Sequence, residues 1–316
     1  MIPGFIPGMP ITGRQLPWLA GAASLLIAPF LFIGGPDWAS GPLLKSAWNL
    51  GHILLFALLT LTFRPWLWLS GWRLWLVITA AILAIGIGIE LIQGDHNRDM
   101  DGRDLLRNLI GGWLIIAWRP VLLSGKRTFA RQCLITTAAT LLLCFELGST
   151  GIVAARQWHV HHQLPLLYDF SHQNPEPFWA GSLAVSANHS VNHPHSLKID
   201  LGTETYSGVS LNNLPADWRG FERLTITLFN PSTEPLALTL RINDVAHDRS
   251  DHDYNDRYNA RLILGPGFNT FTRNLTAIEN APDSRTMDMS KIRRIGLFAV
   301  RLPEPRTVYL SDLRLD

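Results

Sequence analysis

The chain has 316 residues, of which 47% are apolar and 16% charged, with a formal net charge of +2 and a mean hydropathy of +0.13. These averages exclude a disordered or collagen-like chain, and a charged fraction well under the roughly 25% of soluble globular proteins points to a membrane. Split at Arg156, the first part carries 12 Lys/Arg against 7 Asp/Glu and the second 15 against 18. Neither has the strongly basic balance of a nucleic-acid binder, so nucleic acid is excluded as a partner.

Five apolar stretches, 17–34, 44–63, 73–92, 105–123 and 130–150, each approach the 17 to 25 residues that a bilayer-crossing helix needs. They predict an all-α N-terminal bundle of five transmembrane helices within residues 1–156. The first stretch is read as retained rather than cleaved, because a second span follows a short polar loop and no small-residue cleavage site is evident. With the N-terminus in the cytoplasm, the inner segments hold Arg14, Arg64, Arg73, Arg119, Lys126, Arg127 and Arg131. The outer segments hold Lys45, Arg98, Arg103 and Arg107 among several Asp residues. The excess of inner basic residues favours this orientation. Residues 157–316 then lie outside the cytoplasm. Cys133 and Cys144 fall eleven positions apart on the fifth helix, beyond disulfide reach at about 1.5 Å per residue, and are expected as buried thiols.

Polar side chains are costly in hydrocarbon, so those inside the spans carry information. Lys45, Asn49, His52 and Phe56 repeat at helical spacing on one face of the second helix. Glu90 and Gln93 end the third helix, and Asp104 and Asn108 open the fourth. In this topology all three groups gather near the outer leaflet. Ala80, Ala84 and Gly88 form a small-residue stripe on the third helix, and Gly111 and Gly112 lie early in the fourth, so the two are expected to approach closely and bring Glu90 near Asn108.

The segment "IELIQGDHNRDMDGRDLLRNLIGGWL" resembles the signature of VanZ-like membrane proteins, with Glu90, Gln93, Arg98, Asp104, Asn108 and Gly111 at the matching positions. Lys45 and His52 match a Lys and a His of an earlier helix, although Leu44 stands where the family usually has an Asp. The likeness covers about residues 15–123. It implies a bacterial envelope protein, linked in the founding member to glycopeptide-antibiotic tolerance, and brings no settled biochemical activity. For the polar cluster of Lys45, Asn49, His52, Glu90, Gln93, Arg98, Asp104 and Asn108, three readings stand. The residues are interhelical glue, an outward pocket for a polar head group held by Lys45, Arg98 and Arg103, or a catalytic set using His52, Glu90 and Asp104 for acid/base chemistry.

After Arg156, His159, His161 and His162 are either solvated surface or ligands for a transition metal. From Ser196 onward eight β-rich runs recur between turn-rich pieces: "SLKIDL", "YSGVSL", "RLTITLFN", "LALTLRI", "RLILG", "NTFTRNL", "RRIGLFAVRL" and "TVYLSDLRL". They predict an all-β domain, a β-sandwich of jelly-roll type over residues 157–316. Pieces such as "DWRGFERLTITLFN", "LGPGFNTFTRNL" and "VYLSDLRL" resemble the galactose-binding-like sandwiches that include many carbohydrate-binding modules. Trp218, Phe221 and Phe298 are expected in the core.

The segment from Asp244 to Tyr258 is dense in Asp, Arg and Tyr. Asp244, Arg249, Tyr254, Arg257 and Tyr258 suit glycan contact, since carboxylates, guanidinium forks and aromatic rings match sugar hydroxyls and ring faces. Asp248, Asp251 and Asp253 are alternatively ligands for a structural calcium, or the run is a solvated loop. No other cofactor is expected. The sequence thus describes a non-enzymatic, multi-pass bacterial inner-membrane protein with a glycan-binding sandwich in the periplasm or outside the cell. Its partners are the bilayer and an envelope or lipid-linked glycan. The rival reading is an intramembrane enzyme or transporter acting on a lipid-linked glycan through His52, Glu90 and Asp104.

Overall fold

The computed structural model describes residues 15–32, 41–94, 102–124 and 130–316, and the side chains within them except 31–32, 90–94, 121–124 and 130–131. The chain divides into two compact units, Met1–Ala154 and Ala155–Asp316.

The first unit is helical: α1 Leu16–Phe32, α2 Pro42–Phe63, α3 Gly71–Gly94, α4 Gly102–Ser124 and the start of α5 Ala130–His162. Pro42 opens α2 at a position where its missing N–H costs nothing, and Arg64 closes it in the left-handed region at φ 50° before Pro65. Three stretches are long and apolar enough to cross a membrane: Pro42–Leu67, Gly71–Ile89 and Gln132–His162. Helix α1 is apolar over the shorter Leu16–Phe30, and α4 carries Arg103, Asp104, Arg107 and Arg119. Among the described residues, three helices therefore qualify where five spans were expected.

Helix packing follows glycines other than the expected stripe. Ala80 and Ala84 are exposed, and nothing lies within 4 Å of the position a Gly88 Cβ would take. A Cβ on Gly111 would instead strike the Ile53 carbonyl and come 2.9 Å from the Ala57 nitrogen, so α2 and α4 touch backbone to backbone. A Cβ on Gly86 would meet Leu105 Cδ2 at 2.8 Å and Asn108 Nδ2 at 2.9 Å, which brings α3 against α4. Phe56, Ile82 and Ile89 form a small apolar core. Trp18, Leu25, Trp68, Trp72, Leu134 and Phe145 point outward, while His52, Asn108 and Glu146 are buried. An apolar exterior around a polar interior inverts the soluble pattern and suits a lipid environment. The expected burial of Cys133 and Cys144 is not found; both lie on the exposed side of α5. Helix α5 also runs twelve residues past the expected end of its apolar stretch, because "GIVAARQWHVHH" keeps helix-forming residues and no proline intervenes before Pro165.

The second unit holds ten strands in two antiparallel five-stranded sheets, ordered β1-β4-β9-β6-β7 and β2-β3-β10-β5-β8. The strands are β1 Trp179–Gly181, β2 Leu183–Ser186, β3 Ser196–Leu201, β4 Tyr206–Leu211, β5 Arg223–Asn230, β6 Leu236–Asp244, β7 Tyr258–Leu264, β8 Gly267–Asn274, β9 Ile292–Val300 and β10 Arg306–Leu315. Strand β3 pairs with β10, β4 with β9, β5 with β8 and β6 with β7. One long antiparallel ribbon, folded at the β6–β7 turn and rolled over itself, gives this nesting, which is the winding of a jelly roll. Each of the eight runs read from the sequence overlaps one of β3 to β10; β1 and β2 are added at the sheet edges. Inward residues of both sheets, among them Leu197, Ile226, Leu240, Leu262, Ile295 and Leu310, form one core with Trp218. Trp218 is fully buried with its Nε1 donating to the Pro215 carbonyl at 2.9 Å.

Candidate functional site

Alternation along the strands of the β1-β4-β9-β6-β7 sheet sorts two sets of side chains. Val209, Leu238, Leu240, Leu262, Ile295 and Leu297 go inward. Tyr206, Gly208, Thr239, Arg241, Asn259, Arg261, Gly296, Phe298 and Val300 therefore share the outer face. Register aligns Gly208 with Phe298, Phe298 with Thr239 and Thr239 with Arg261 in one row. The next row runs Ser210, Gly296, Arg241 and Asn259. A Cβ on Gly208 would press within 2.6 Å of Phe298 Cβ, so glycine there lets the Phe298 ring lie low beside Tyr206, the two rings meeting edge to face at 5.9 Å. Phe298 thus belongs to the outer face, not to the core as expected. Trp218 is buried as expected and Phe221 packs partly buried against the core.

A depression of about 370 Å³ opens on this face, lined by Thr239, Tyr254, Asn259, Arg261 and Val300 among others. Tyr254 is 62% exposed and Tyr206 68%. The Arg257 guanidinium lies over the Tyr254 ring, 5.2 Å from its centre. Beside the depression Arg241, Arg257 and Arg294 crowd together. Burial, followed by the charges of Arg257 and Arg294, holds the Arg241 pKa down to about 10. Arg257 is likewise lowered, chiefly by burial. The Nε of Arg241 and the Oδ1 of Asn259 are shielded from solvent without a hydrogen-bond partner. Such a surface offers aromatic faces beside crowded guanidinium groups, which suits a polar ligand bearing negative charge.

Of the five residues expected to contact glycan, Tyr254 lines the depression, Arg257 stacks on Tyr254, and Tyr258 is half-buried against the core. Arg249 is exposed outside the lining. Asp244 corrects the expectation: it is fully buried and caps the short helix α6 Val245–Asp248 by accepting from the His247 N–H. Its carboxylate also accepts from the Asp288 N–H at 2.9 Å and from Arg285 Nη1 and Nη2 at 2.6 and 2.9 Å. Every lone pair is engaged inside the protein. Arg285 reaches Asp256 as well, with Nε donating to Oδ1 at 2.6 Å, and so ties both ends of the 244–256 segment together. Of the three residues weighed for calcium, Asp248 is buried and accepts from Asn243 Nδ2 at 2.7 Å, and Asp253 caps the turn Tyr254–Asp256. Among the described residues, Asp248, Asp251 and Asp253 do not bring their carboxylates together as one ligand group. The sequence reading missed Arg241, Arg261, Arg285 and Arg294; the alternation of β6, β7 and β9 was the signal for the first, second and fourth.

A second depression of about 620 Å³ lies on the other sheet, beside Thr225, Thr227, Phe268, Thr270 and Arg314. Near it Phe229 stacks with His189, their ring centres 3.7 Å apart, and meets Phe268 and Tyr309 edge to face.

In the helical unit, His52 Nδ1 lies 3.0 Å from Asn108 Oδ1 and Nε2 lies 3.5 Å from Asp104 Oδ2. Arg107 Nη1 donates to Asp104 at 2.5 Å and its Nε to Glu146 Oε2 at 2.9 Å. With its amide oriented to satisfy both ends, Asn49 donates to the Lys45 carbonyl and accepts from Arg107 Nη1, each at 3.3 Å. An amide oxygen only accepts, so His52 carries a hydrogen on Nδ1. The structure thus gathers Asn49, His52, Asp104 and Asn108 as expected from the sequence and adds Arg107 and Glu146, which that reading missed. Glu146, an acid within an apolar stretch, was the available signal. The Lys45 side chain is exposed. The side chains of Glu90 and Gln93, and Arg98 altogether, fall outside the described residues.

No family model matches the chain, and no curated protein matches it. Solved structures are similar to parts of it. The family 11 carbohydrate-binding module from Clostridium thermocellum, in complex with a β-1,3-1,4-mixed-linked tetrasaccharide, is 11% identical over 43% of this chain and 82% of its own, with a TM-score of 0.32. The CBM22-1 xylan-binding domain from Paenibacillus barcinonensis Xyn10C is 14% identical over 48% of this chain and 92% of its own, with a TM-score of 0.34. An exo-β-agarase is 15% identical over 48% of this chain, which spans only 24% of that enzyme, with a TM-score of 0.38.

Proposed function

We propose that this chain is a non-enzymatic membrane protein whose jelly-roll unit binds an acidic glycan on the outer face of the β1-β4-β9-β6-β7 sheet. The observation that carries the reading is the open depression edged by Tyr254, Arg261 and Asn259, with Arg241, Arg257 and Arg294 crowded beside it. Tyr rings supply platforms for sugar faces, and guanidinium forks pair with carboxylate or phosphate groups. The second depression has its own aromatic patch, and its Arg314 is already paired with Asp312 of the same lining at 2.8 Å, so it suits an acidic ligand less well. In this reading the helical unit is a VanZ-like bundle of five spans in a bacterial cytoplasmic membrane. The N-terminus is cytoplasmic, and the sandwich meets envelope or lipid-linked glycan outside. The test is an array of neutral and acidic polysaccharides probed with the detergent-purified full chain. Tyr254→Ala is expected to abolish binding and Phe268→Ala to leave it intact. The opposite pattern would move the site to the other sheet, and no binding on the array would remove the reading. For topology, alkaline phosphatase fused after His162 is expected to be active, and an inactive fusion would invert the orientation.

A second reading rests on the buried His52 and Asp104 pair, a base beside an acid held by Arg107. It makes the helical unit an enzyme or transporter for a lipid-linked glycan. His52→Ala and Glu90→Gln would then each abolish function in a chain that still inserts; retained function in both would dismiss it.

A further inference from the structure

The three histidines of "HVHH" do not converge. His162 Nδ1 donates to the Trp158 carbonyl one turn back, at 2.7 Å, and its ring lies against Trp158. His159 turns elsewhere. One ligand atom each from His159, Asp169 and His172 lie within 4.8 Å of one another, all within the second unit. We propose that these three side chains bind a zinc-class divalent transition metal.

The ligand chemistry fits. Two imidazoles and one carboxylate form a donor set that zinc accepts readily, with a fourth position left for water or another ligand. A tetrahedral zinc ion with bonds of about 2.0 to 2.2 Å sets its ligand atoms about 3.3 Å apart. His159 Nε2 and Asp169 Oδ2 already stand at 3.3 Å. His172 needs only a modest ring or loop adjustment to close the triangle.

The surroundings hold the ligands in place. The Ser171 N–H and hydroxyl each donate to Asp169 at 2.9 Å, fixing the carboxylate as an outer hydrogen-bond shell does at a metal site. The His172 ring stacks on Phe178 at 4.7 Å and meets the His159 ring edge to face at 5.4 Å. Its Nε2 is shielded from solvent with no hydrogen-bond partner, a burial cost that ligation of the ring would offset. The link from the end of α5 to the first strand of the sandwich would thereby be closed by one ion.

The experiment uses the untagged full chain in detergent, stripped with chelator and titrated with zinc sulfate by calorimetry, with retained metal counted by elemental analysis. One zinc per chain is expected, and His172→Ala and Asp169→Asn are each expected to weaken binding at least about tenfold. His161→Ala combined with His162→Ala should leave it unchanged. Cobalt in place of zinc should give the visible absorption of a four-coordinate site in the parent chain and lose it in Asp169→Asn. Each variant is checked for an unaltered melting temperature without metal, so that a folding defect is not read as a lost ligand. Absence of zinc binding, or binding lost only with His161 and His162, would overturn the assignment.

Discussion

Replacing Arg285 with Met removes the cation that two carboxylates share. Asp244 is fully buried, and without Arg285 it keeps only the Asp288 and His247 N–H donors. Asp256 keeps His247 Nδ1 at 3.2 Å. Removing one partner of a buried ion pair costs about 3–5 kcal/mol, and the two remaining backbone donors favour the lower end, about 3 kcal/mol. For a unit of this size each kcal/mol is worth roughly 2–4 °C, so the sandwich should melt roughly 6–12 °C lower. Because two units share the chain, a single melting temperature is not assigned to either without a local probe. Hydrogen exchange read by mass spectrometry on the full chain supplies one: amides from 244 to 258 should exchange faster in Arg285→Met, while those of β3 and β10 keep most of their protection. Arg285→Lys keeps the charge but not the fork and should fall between the two. Asp244→Asn combined with Arg285→Met should cost less than the two single changes added together, since the second removes the charge that the first leaves stranded. A melting shift below about 2 °C with unchanged exchange over 244–258 would refute the assignment of Asp244 and Asp256 to structure.

Gly111→Leu should drive α2 from α4 and lower detergent stability by about 1–3 kcal/mol, the usual cost of overpacking, whereas Gly88→Ala should be near neutral because nothing lies within 4 Å; equal effects in a thermal stability assay would contradict the packing. His247 is fully buried, with Nδ1 toward Asp256 and Nε2 toward Arg241. Burial, with Arg241 and Arg257, holds its pKa below the ordinary 6.5 despite Asp256. The unfolded chain therefore binds a proton more readily, so stability present above about pH 6.5 is lost as pH falls below it. Melting of the sandwich measured from pH 7 to pH 5 should decline, and His247→Gln should flatten the decline; an unchanged slope would count against a neutral buried imidazole. Glycan binding through Arg257 should weaken with added salt, and Arg257→Gln should reduce binding to acidic polysaccharides more than to neutral ones in a direct binding assay. Equal losses for both ligand classes would argue against charge recognition.

The strands were legible because each packs one face on a core. "RLTITLFN" and "SLKIDL" alternate so regularly that β5 and β3 begin and end where the runs do. Strands β1 and β2, three and four residues long, are too short to show a period. What the period could not report is which loop meets which face. Asp244 looked like a ligand residue because an Asp-rich run reads as solvated, yet its partner Arg285 lies 41 positions away and no local pattern links them. The same distance effect hid the partners of His159, which lies in the last turn of α5 while Asp169 and His172 follow in a loop.

In the helices the gap has a different cause. Spacing alone put His52, Asp104 and Asn108 on faces that the fold brings together, since their partners lie at i, i+4 on one helix and at a matching depth on the next. Arg107 was counted as a loop charge, although one residue before Asn108 on α4 it turns to a neighbouring side of the same helix and reaches Glu146 of α5. Charge pairing decides the matter: Asp104 and Glu146 are acids shielded from solvent, and Arg107 is the cation in contact with each. One end of that pairing is thus set from α5, by a residue remote from α4 in sequence. Replacing Glu146 with Gln should leave Arg107 with a single acid and lower the stability of the helical unit in detergent, while Ser46 and Thr150 keep α2 and α5 joined through their 3.0 Å contact. Unchanged thermal stability of Glu146→Gln in detergent would argue against Arg107 as the cation shared between α4 and α5.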